Sequence, residues 1–278
     1  MMKLRNKINP LLLILPLLLI SGCEERIDWL LKPDYQSVLV VDGMITSEAR
    51  QHTIRLTTSY TQLNSEPGKA SGAQVIISDK DSSWTLTEFP VNSGLYRTKP
   101  FFAAKLNVQY TLFISYQSQV YSAKATMVKG NPLVPVHYQK KNNGLFQINW
   151  IANPYNPRKP AMFTIFLDWS GVPGYSDIPP DSCRALIKAY SLPTLDVSEV
   201  LAPEAEKVFF PAGTVITELK YSLSDEYAAF LRAMLLETSW SGGFFDTAPA
   251  NLPTNLSGGA LGFFAVCEEH SVRIIVKP

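Results

Sequence analysis

The sequence predicts a mainly β protein, with an immunoglobulin-like or transthyretin-like β-sandwich followed by a second β-rich domain that carries one amphipathic helix. Three observations lead to this fold class. Residues 110–116 alternate between apolar and polar side chains, with the period of a half-buried strand. Short apolar segments recur between turn-forming residues at intervals of roughly 8 to 12 residues, as a sandwich requires. A helical apolar stripe occupies residues 227–235.

The N-terminus has the regions of a bacterial secretion signal over residues 1–22. Lys3, Arg5 and Lys7 form a basic segment without acidic residues, and residues 11–20 are apolar apart from one proline. At about 1.5 Å per residue, this run is too short for a hydrocarbon core of roughly 30 Å. It therefore indicates a signal peptide rather than a spanning helix.

The apolar run ends in Ile20-Ser21-Gly22-Cys23, which resembles the lipobox of bacterial lipoproteins. Small residues before the cysteine suit a narrow peptidase pocket, and the cysteine thiol accepts diacylglycerol. We therefore expect Cys23 to become the lipid-modified N-terminus, anchored by acyl chains such as palmitate. Two or three chains anchor a protein stably, whereas one is marginal. A plain signal peptide beside a chance cysteine is the alternative.

The predicted tether, residues 23–35, bears on which membrane surface holds the protein. Glu24 and Glu25 resemble the acidic surface-export signal of some Gram-negative lineages, although an ordinary solvated tether would look the same. We predict an outer-membrane, lipid-anchored protein that faces the cell surface.

Composition limits the classes of partner. Without the leader, 22 basic and 24 acidic residues remain, a formal charge of −2. This balance lacks the basic footprint of a nucleic-acid-binding protein, so we expect no nucleic-acid partner. With 46% hydrophobic and 11% aromatic residues, the chain can bury a sizeable core.

Two cysteines remain once Cys23 carries lipid. In an oxidising compartment, Cys183 and Cys267 either form one disulfide or stay as small buried apolar residues, and the sequence leaves both alternatives open. No histidine lies near Cys183, and His270 beside Cys267 gives no recognised zinc spacing. We therefore expect no metal site there.

The sandwich domain is predicted at residues 36–129. Its short apolar segments alternate with turn signals such as Asp42-Gly43 and Asn92-Ser93-Gly94. The segment Lys129-Gly130-Asn131-Pro132 then interrupts the strand pattern, and the alternation of apolar and polar residues is less regular after it. We place the domain boundary there.

The second domain is predicted at residues 130–278, and its strands are less regular. Residues 162–167 form a continuous apolar run, which predicts a strand buried on both faces. Residues 170–213 are rich in Pro and Gly and predict long loops, with one strand near residues 185–190. Strands at about 262–267 and 271–276 close the chain.

One helix is predicted at about residues 224–240. Ser224 can cap it, and Asp225 and Glu226 suit the positive first turn. Gly242-Gly243 follows and favours its end.

An ordered set of short motifs resembles one family. The motifs follow the lipobox in this order: Leu39-Val40-Val41-Asp42-Gly43-Met44-Ile45, Gly94-Leu95-Tyr96, Tyr110-Thr111-Leu112, Val120-Tyr121, Ser222-Leu223-Ser224, the segment from Phe245 to Asn251, and the segment from Gly258 to Phe264. They look like the Gram-negative surface lipoproteins catalogued as domain of unknown function 4249, over nearly the whole mature chain. The last two segments are the most specific part of the resemblance.

The resemblance implies a role rather than a reaction. Members are similar in gene context to accessory lipoproteins of TonB-dependent outer-membrane receptors, which implies capture or transfer of a nutrient. The family brings no catalytic residues and no cofactor.

The residues themselves show no catalytic motif. No Gly-x-Ser-x-Gly elbow is present to hold a nucleophile, and no Gly-rich loop has a phosphate-binding context. The aspartates at 168, 177 and 181 do not have the spacing of an EF-hand loop. The three histidines are far apart in the sequence: His52, His137 and His270. We therefore predict that the protein is not an enzyme.

Aromatic residues in two Gly-containing loops form the candidate binding surface. Trp169 and Tyr175 follow the apolar run, and Trp240, Phe244 and Phe245 follow the helix. Exposed rings can stack on sugars or fill a partner's pocket. The alternative is that these rings cap the core beneath long loops.

Three functions compete at this point. The first is a non-catalytic binding or accessory component of a TonB-dependent nutrient-uptake system, with an unknown small ligand. The second is a structural or adhesive envelope lipoprotein. The third is a hydrolase whose site the sequence does not reveal.

Overall fold

The computed structural model describes residues 37–60, 66–150, 158–193, 207–238 and 252–278, and the predicted leader and tether lie outside these ranges. The described residues contain β-strands and one long helix, α1 (Asp225–Thr238). The strands are β1 (Leu39–Thr46), β2 (Thr53–Thr58), β3 (Gly68–Lys69), β4 (Gln74–Ser78), β5 (Ser83–Thr85), β6 (Thr87–Glu88), β7 (Leu95–Arg97), β8 (Gln109–Tyr116), β9 (Gln119–Thr126), β10 (His137–Lys140), β11 (Phe146–Trp150), β12 (Ala161–Asp168), β13 (Arg184–Ser191), β14 (Val215–Ser222), β15 (Leu261–Cys267) and β16 (Glu269–Ile275).

Two facing sheets form the predicted β-sandwich. One has the strand order β15-β1-β2-β7-β6, with β3 also beside β2, and the other has the order β5-β4-β8-β9. Tyr110, Leu112 and Ile114 of β8 are buried at alternate positions, as the period of two requires. They share one core with Ile54 and Leu56 of β2. The predicted mainly β class, with an N-terminal β-sandwich, is thereby confirmed.

A strand from the far end of the chain completes the sandwich. β15 pairs in parallel with β1, from Val40 opposite Leu261 to Thr46 opposite Cys267. Residues 37–278 accordingly group into one unit. The boundary after residue 129 stays a prediction, and the sandwich takes one strand from beyond it. Local patterning located the strand, but its pairing partner depends on contacts across the whole chain.

The second β-rich part is built on a four-stranded antiparallel sheet with the order β13-β12-β14-β16. The β10–β11 hairpin packs on one face of this sheet, which we call the hairpin face. The buried residues of that core are Val136, Phe146, Ile165, Leu167, Phe210, Ile216 and Val276.

Helix α1 packs on part of the opposite face, which we call the helix face. Ser224 Oγ accepts a hydrogen bond from the Tyr227 backbone N–H at 3.3 Å, as predicted for the cap. Leu231 and Leu235 are buried against β15 and the sheet. The helix starts where the sequence predicts, and residues 239 and 240 lie outside the described ranges.

The helix leaves one half of the helix face open. It packs near Met162, Tyr190 and Tyr221, at one end of the strands. At the other end, Phe166 is 44% exposed and Leu186 is 49% exposed. The prediction that residues 162–167 are buried on both faces is therefore wrong for Phe166, because α1 does not reach its position.

Candidate functional site

The open half of the helix face contains a groove of about 410 Å³, which we call the sheet-face groove. Its floor is the sheet itself, and one wall is the loop that follows β12. Its lining residues are Phe166, Asp168, Ser170, Gly171, Val172, Gly213, Val215, Thr217 and Arg273. This volume lies in the range typical of small-molecule sites, about 300 to 1,000 Å³.

The charges in the sheet-face groove are fixed by local hydrogen bonds. Asp168 accepts bonds from the Ser170 hydroxyl at 2.6 Å, the Ser170 amide at 3.0 Å and Arg184 Nε at 3.1 Å. The Ser170 bonds, followed by Arg184, hold the pKa of Asp168 below its usual range. A carboxylate held in this way is a weak base. Arg273, in contrast, has no ion-pair partner among the described residues.

The loop beside the groove carries two of the five aromatic residues predicted as a binding surface. Trp169 is half-buried and packs against the hairpin-face core, as the core-capping alternative expects. Tyr175 is also half-buried, and its amide donates to the carbonyl oxygen of Val172. Trp240, Phe244 and Phe245 lie outside the described residues, so their part of the predicted surface stays a prediction.

A second groove, of about 580 Å³, lies between the segment at 129–135 and β16, and we call it the linker groove. Its residues are Glu48, Lys129, Gly130, Pro132, Leu133, Pro135, Glu268, Glu269, His270, Ser271 and Val272. Two of its carboxylates already have partners. Glu269 pairs with Arg50 at 2.7 Å, and Glu268 accepts the Gly130 amide at 2.8 Å.

Two buried charged residues hold the linker on the sheet. Lys220 Nζ donates to the carbonyl oxygens of Asn131 at 2.9 Å and Pro132 at 3.1 Å. Glu218 accepts the Val136 amide at 2.9 Å, while its other carboxyl oxygen has no hydrogen-bond partner among the described residues. Burial raises the pKa of Glu218 and lowers the pKa of Lys220.

Two of the three histidines, His52 and His270, make different contacts in the described structure. His52 is buried, and its Nε2 lies 3.2 Å from the Glu48 carbonyl and 3.1 Å from the Phe102 carbonyl. Two carbonyl acceptors require Nε2 to carry the proton. Burial, with Arg50, lowers the pKa of this imidazole. His270 instead contacts Glu268, 3.4 Å away.

Metal ligands do not cluster in the described ranges. No group of three or more His, Cys, Asp or Glu side chains there could hold a metal ion. No helix among these residues has the length and apolar character needed to cross a membrane.

Cys183 and Cys267 are both free, buried thiols, so the disulfide alternative is not what the structure shows. Cys183 lies at the Asp168 end of β12, whereas Cys267 packs in the cluster that includes Met162 at the opposite end. At about 3.3 Å per residue, these ends are roughly 20 Å apart. A disulfide allows a Cα separation of only about 7 Å.

Sequence patterning missed two residues of the sheet-face groove, Phe166 and Arg273. Phe166 sits inside an apolar run that suggests burial on both faces. Arg273 sits in a strand where it alternates with apolar residues. This alternation could have placed Arg273 on an exposed face. The alternation could not have predicted that Arg273 lies beside Phe166, because that proximity depends on the pairing of β14 with both neighbouring strands.

Comparisons with known proteins identify a family to which the chain is similar. A solved structure, a two fibronectin type-III domain segment from chicken tenascin, is similar at 10% identity and a TM-score of 0.21, over 67% of this chain and 91% of that chain. A score this low assigns neither fold nor function. No match to a curated protein is found. The family model described as Domain of unknown function (DUF4249) matches residues 24–177, so the late segments of the resemblance lie beyond the match. Because this match spans more than half of the chain, the protein belongs to the DUF4249 family.

Proposed function

We propose that this protein is an outer-membrane lipoprotein, anchored through Cys23 and exposed at the cell surface, that serves a TonB-dependent nutrient-uptake system as a non-catalytic binding or accessory component. The basic and apolar regions of the leader, followed by Ser21-Gly22-Cys23, support the anchor. The order of motifs shared with the family supports the accessory role.

The sheet-face groove is the observation that carries the binding function. Phe166 gives it an exposed apolar floor, and Arg273 gives it a cation without an ion-pair partner in the described structure. The carboxylate of Asp168 is held by Ser170 and Arg184, so it is a poor general base near neutral pH. The groove therefore suits an apolar group next to an anionic one.

Affinity isolation tests the accessory role. The tagged lipoprotein is isolated from gently solubilised outer membranes of cells that express the neighbouring genes, and the co-purified proteins are identified by mass spectrometry. We expect a TonB-dependent receptor in near-stoichiometric amount. An unrelated lipoprotein with the same tag controls for adventitious recovery.

Two other results would overturn the proposal. Isolation of the protein without any receptor, under conditions where the control preparation is intact, would favour a structural or adhesive envelope role. Turnover of an ester, peptide or glycoside substrate by the purified protein, lost on substitution of a groove residue, would establish a hydrolase.

A further inference from the structure

Strand β16 has one side that no other described strand covers. It is the last strand in the order β13-β12-β14-β16, so only one side pairs with β14. The Val276 amide donates to the Thr214 carbonyl on that side. Backbone groups of an antiparallel strand alternate between its two sides. The odd-numbered residues of β16 therefore direct their N–H and C=O groups away from β14.

Three of these outward-directed residues have no backbone partner in the described part of the chain. Glu269, the first of the odd-numbered residues, donates its amide to Ser47 Oγ at 2.9 Å. Beyond it, no described residue bonds the backbone N–H or C=O groups of Ser271, Arg273 and Ile275. Their side chains are also exposed. The edge therefore offers donors and acceptors in the spacing that another strand requires.

Most of the devices that protect sheet edges are missing here. Such edges are usually shortened, bulged, or blocked by proline or by charged side chains. The register between β14 and β16 is continuous from Val215 opposite Ile275 to Tyr221 opposite Glu269, without a bulge. Among the three outward-directed residues, only Arg273 is charged. This is the edge of a strand that can accept a partner.

The two grooves lie on opposite sides of this edge. Val272 lines the linker groove, and Arg273, whose side chain lies on the other face of the sheet, lines the sheet-face groove. Side chains of a strand alternate between the two faces of its sheet. A strand added to β16 would therefore place alternate side chains over the two grooves.

We propose that the edge of β16 binds an extended peptide segment of a partner protein, which adds a strand to the sheet and carries an acidic residue opposite Arg273. The inference rests on the proposed function and names the chemistry of its partner. Charges of opposite sign directly across a strand pair are favourable. Strand addition is also a recurring mode of peptide recognition, in which main-chain bonds give affinity and side-chain pockets give specificity.

Charge also favours a different protein over a second copy of this chain as the partner of β16. An antiparallel pair of two β16 strands centred on Arg273 would set two guanidinium groups opposite each other. Like charges at such positions are unfavourable. A different chain with an acidic residue at that position avoids this repulsion.

Two labelled peptides test the charge requirement. The probes are capped seven-residue peptides with alternating threonine and valine, one with a central glutamate and one with a central lysine. Fluorescence anisotropy measures their binding to the full lipidated chain in detergent micelles. We expect the glutamate peptide to bind about fivefold more tightly. Arg273→Glu reverses that order, and Arg273→Lys keeps it. Equal binding of both peptides to all three proteins would overturn the charge requirement.

A proline variant tests the backbone requirement. The Ser271 amide points away from β14, so Ser271→Pro removes no bond of the existing sheet. It does remove a donor from the edge. We expect Ser271→Pro to weaken binding of the glutamate peptide more than tenfold, while Ser271→Ala, its matched control, leaves binding unchanged. Unaltered binding by a folded Ser271→Pro variant would contradict strand addition.

Hydrogen exchange tests the same point without a substitution. We expect the glutamate peptide to slow exchange at the amides of Ser271, Arg273 and Ile275 in the wild-type chain. Unchanged exchange at saturating peptide would overturn the proposal. So would concentration-dependent dimers in which these amides are already protected, because they would identify a second copy as the occupant.

The outcomes distinguish this inference from the proposed function. Recovery of a receptor together with absent peptide binding overturns the edge proposal alone. Peptide binding with the predicted dependence on Arg273, but without recovery of a receptor, retains the edge and overturns the nutrient-uptake role.

Discussion

Gly262 of β15 lies opposite Val41 of β1 in the parallel pair that joins the two ends of the described chain. Its φ is +92°, and a Cβ atom at this position would overlap the backbone carbonyl of Val41. Only glycine combines this left-handed conformation with so close an approach of two strands. The closure of the sandwich by β15 therefore depends on the absence of a side chain at residue 262.

Gly262→Ala should destabilise the fold by about 3 kcal/mol, because it adds backbone strain and forces β15 away from β1. Gly259→Ala is the matched control. Its φ is +78°, but no atom of the described residues lies within 4 Å of the added Cβ, so the cost should be only about 1 kcal/mol. Urea unfolding, followed by tryptophan fluorescence, measures both. Equal costs would show that the approach to Val41 is unimportant.

Arg50→Ala should destabilise the fold by about 2 to 3 kcal/mol. Arg50 pairs at 2.7 Å with Glu269, whose side chain is 5% exposed, and the substitution leaves that carboxylate buried without its cation. Arg184→Ala breaks the half-exposed pair with Asp168 and should cost less than about 1 kcal/mol. Thermal unfolding compares the two variants. The prediction fails if the Arg184 variant is the less stable one.

Glu218 should make stability depend on pH in a defined direction. Burial raises its pKa in the folded protein above the ordinary value of 4.5. The stabilisation that the protonated Glu218 carboxyl gives the folded protein is then fully present below pH 4.5, and it is lost as the pH rises through the folded pKa. Glu218→Gln removes this titration. The stability of the variant relative to the wild type should therefore increase as the pH rises above 4.5.

Urea unfolding of both proteins at several pH values measures this difference. The adjacent Lys220 partly offsets the burial of the carboxylate, because its positive charge favours the ionised form. A constant or falling difference between variant and wild type would mean that Glu218 ionises normally in the fold.

Both free cysteines should resist alkylation in the folded protein. Cys183 and Cys267 are buried, and burial raises the pKa of the Cys267 thiol, so little thiolate is available to react. Intact mass after iodoacetamide should show no addition at either position before denaturation and two additions after it, without a reductant. A requirement for reductant would reveal a disulfide.

Elements set by local periodicity could be predicted from the sequence. The alternation over β8, the cap at Ser224 and the strand near residue 187 depend on neighbouring residues, and the structure places each as expected. The parallel pairing of β15 with β1 could not be predicted in this way. It depends on which apolar faces meet after collapse, and β15 is buried on both.

The candidate site was harder to predict for the same reason. The position of Trp169 and Tyr175 in a Gly-containing loop predicts exposed rings, yet both are half-buried. Phe166 and Arg273 enter the groove because α1 covers only part of the sheet. The extent of that cover follows from the path of the whole chain, which composition and spacing do not specify.

Whole-cell analysis of the wild type and Cys23→Ser tests the anchored, surface-exposed state most directly. Cells receive an alkyne analogue of palmitate and are then treated with a protease while intact. We predict that the wild-type protein carries the label, sediments with outer membranes and is cleaved on intact cells, whereas Cys23→Ser loses both the label and the membrane association. A Cys23→Ser variant that still sediments with outer membranes and carries the label would contradict the lipid anchor. A wild-type protein that resists the protease until cells are lysed would contradict surface exposure.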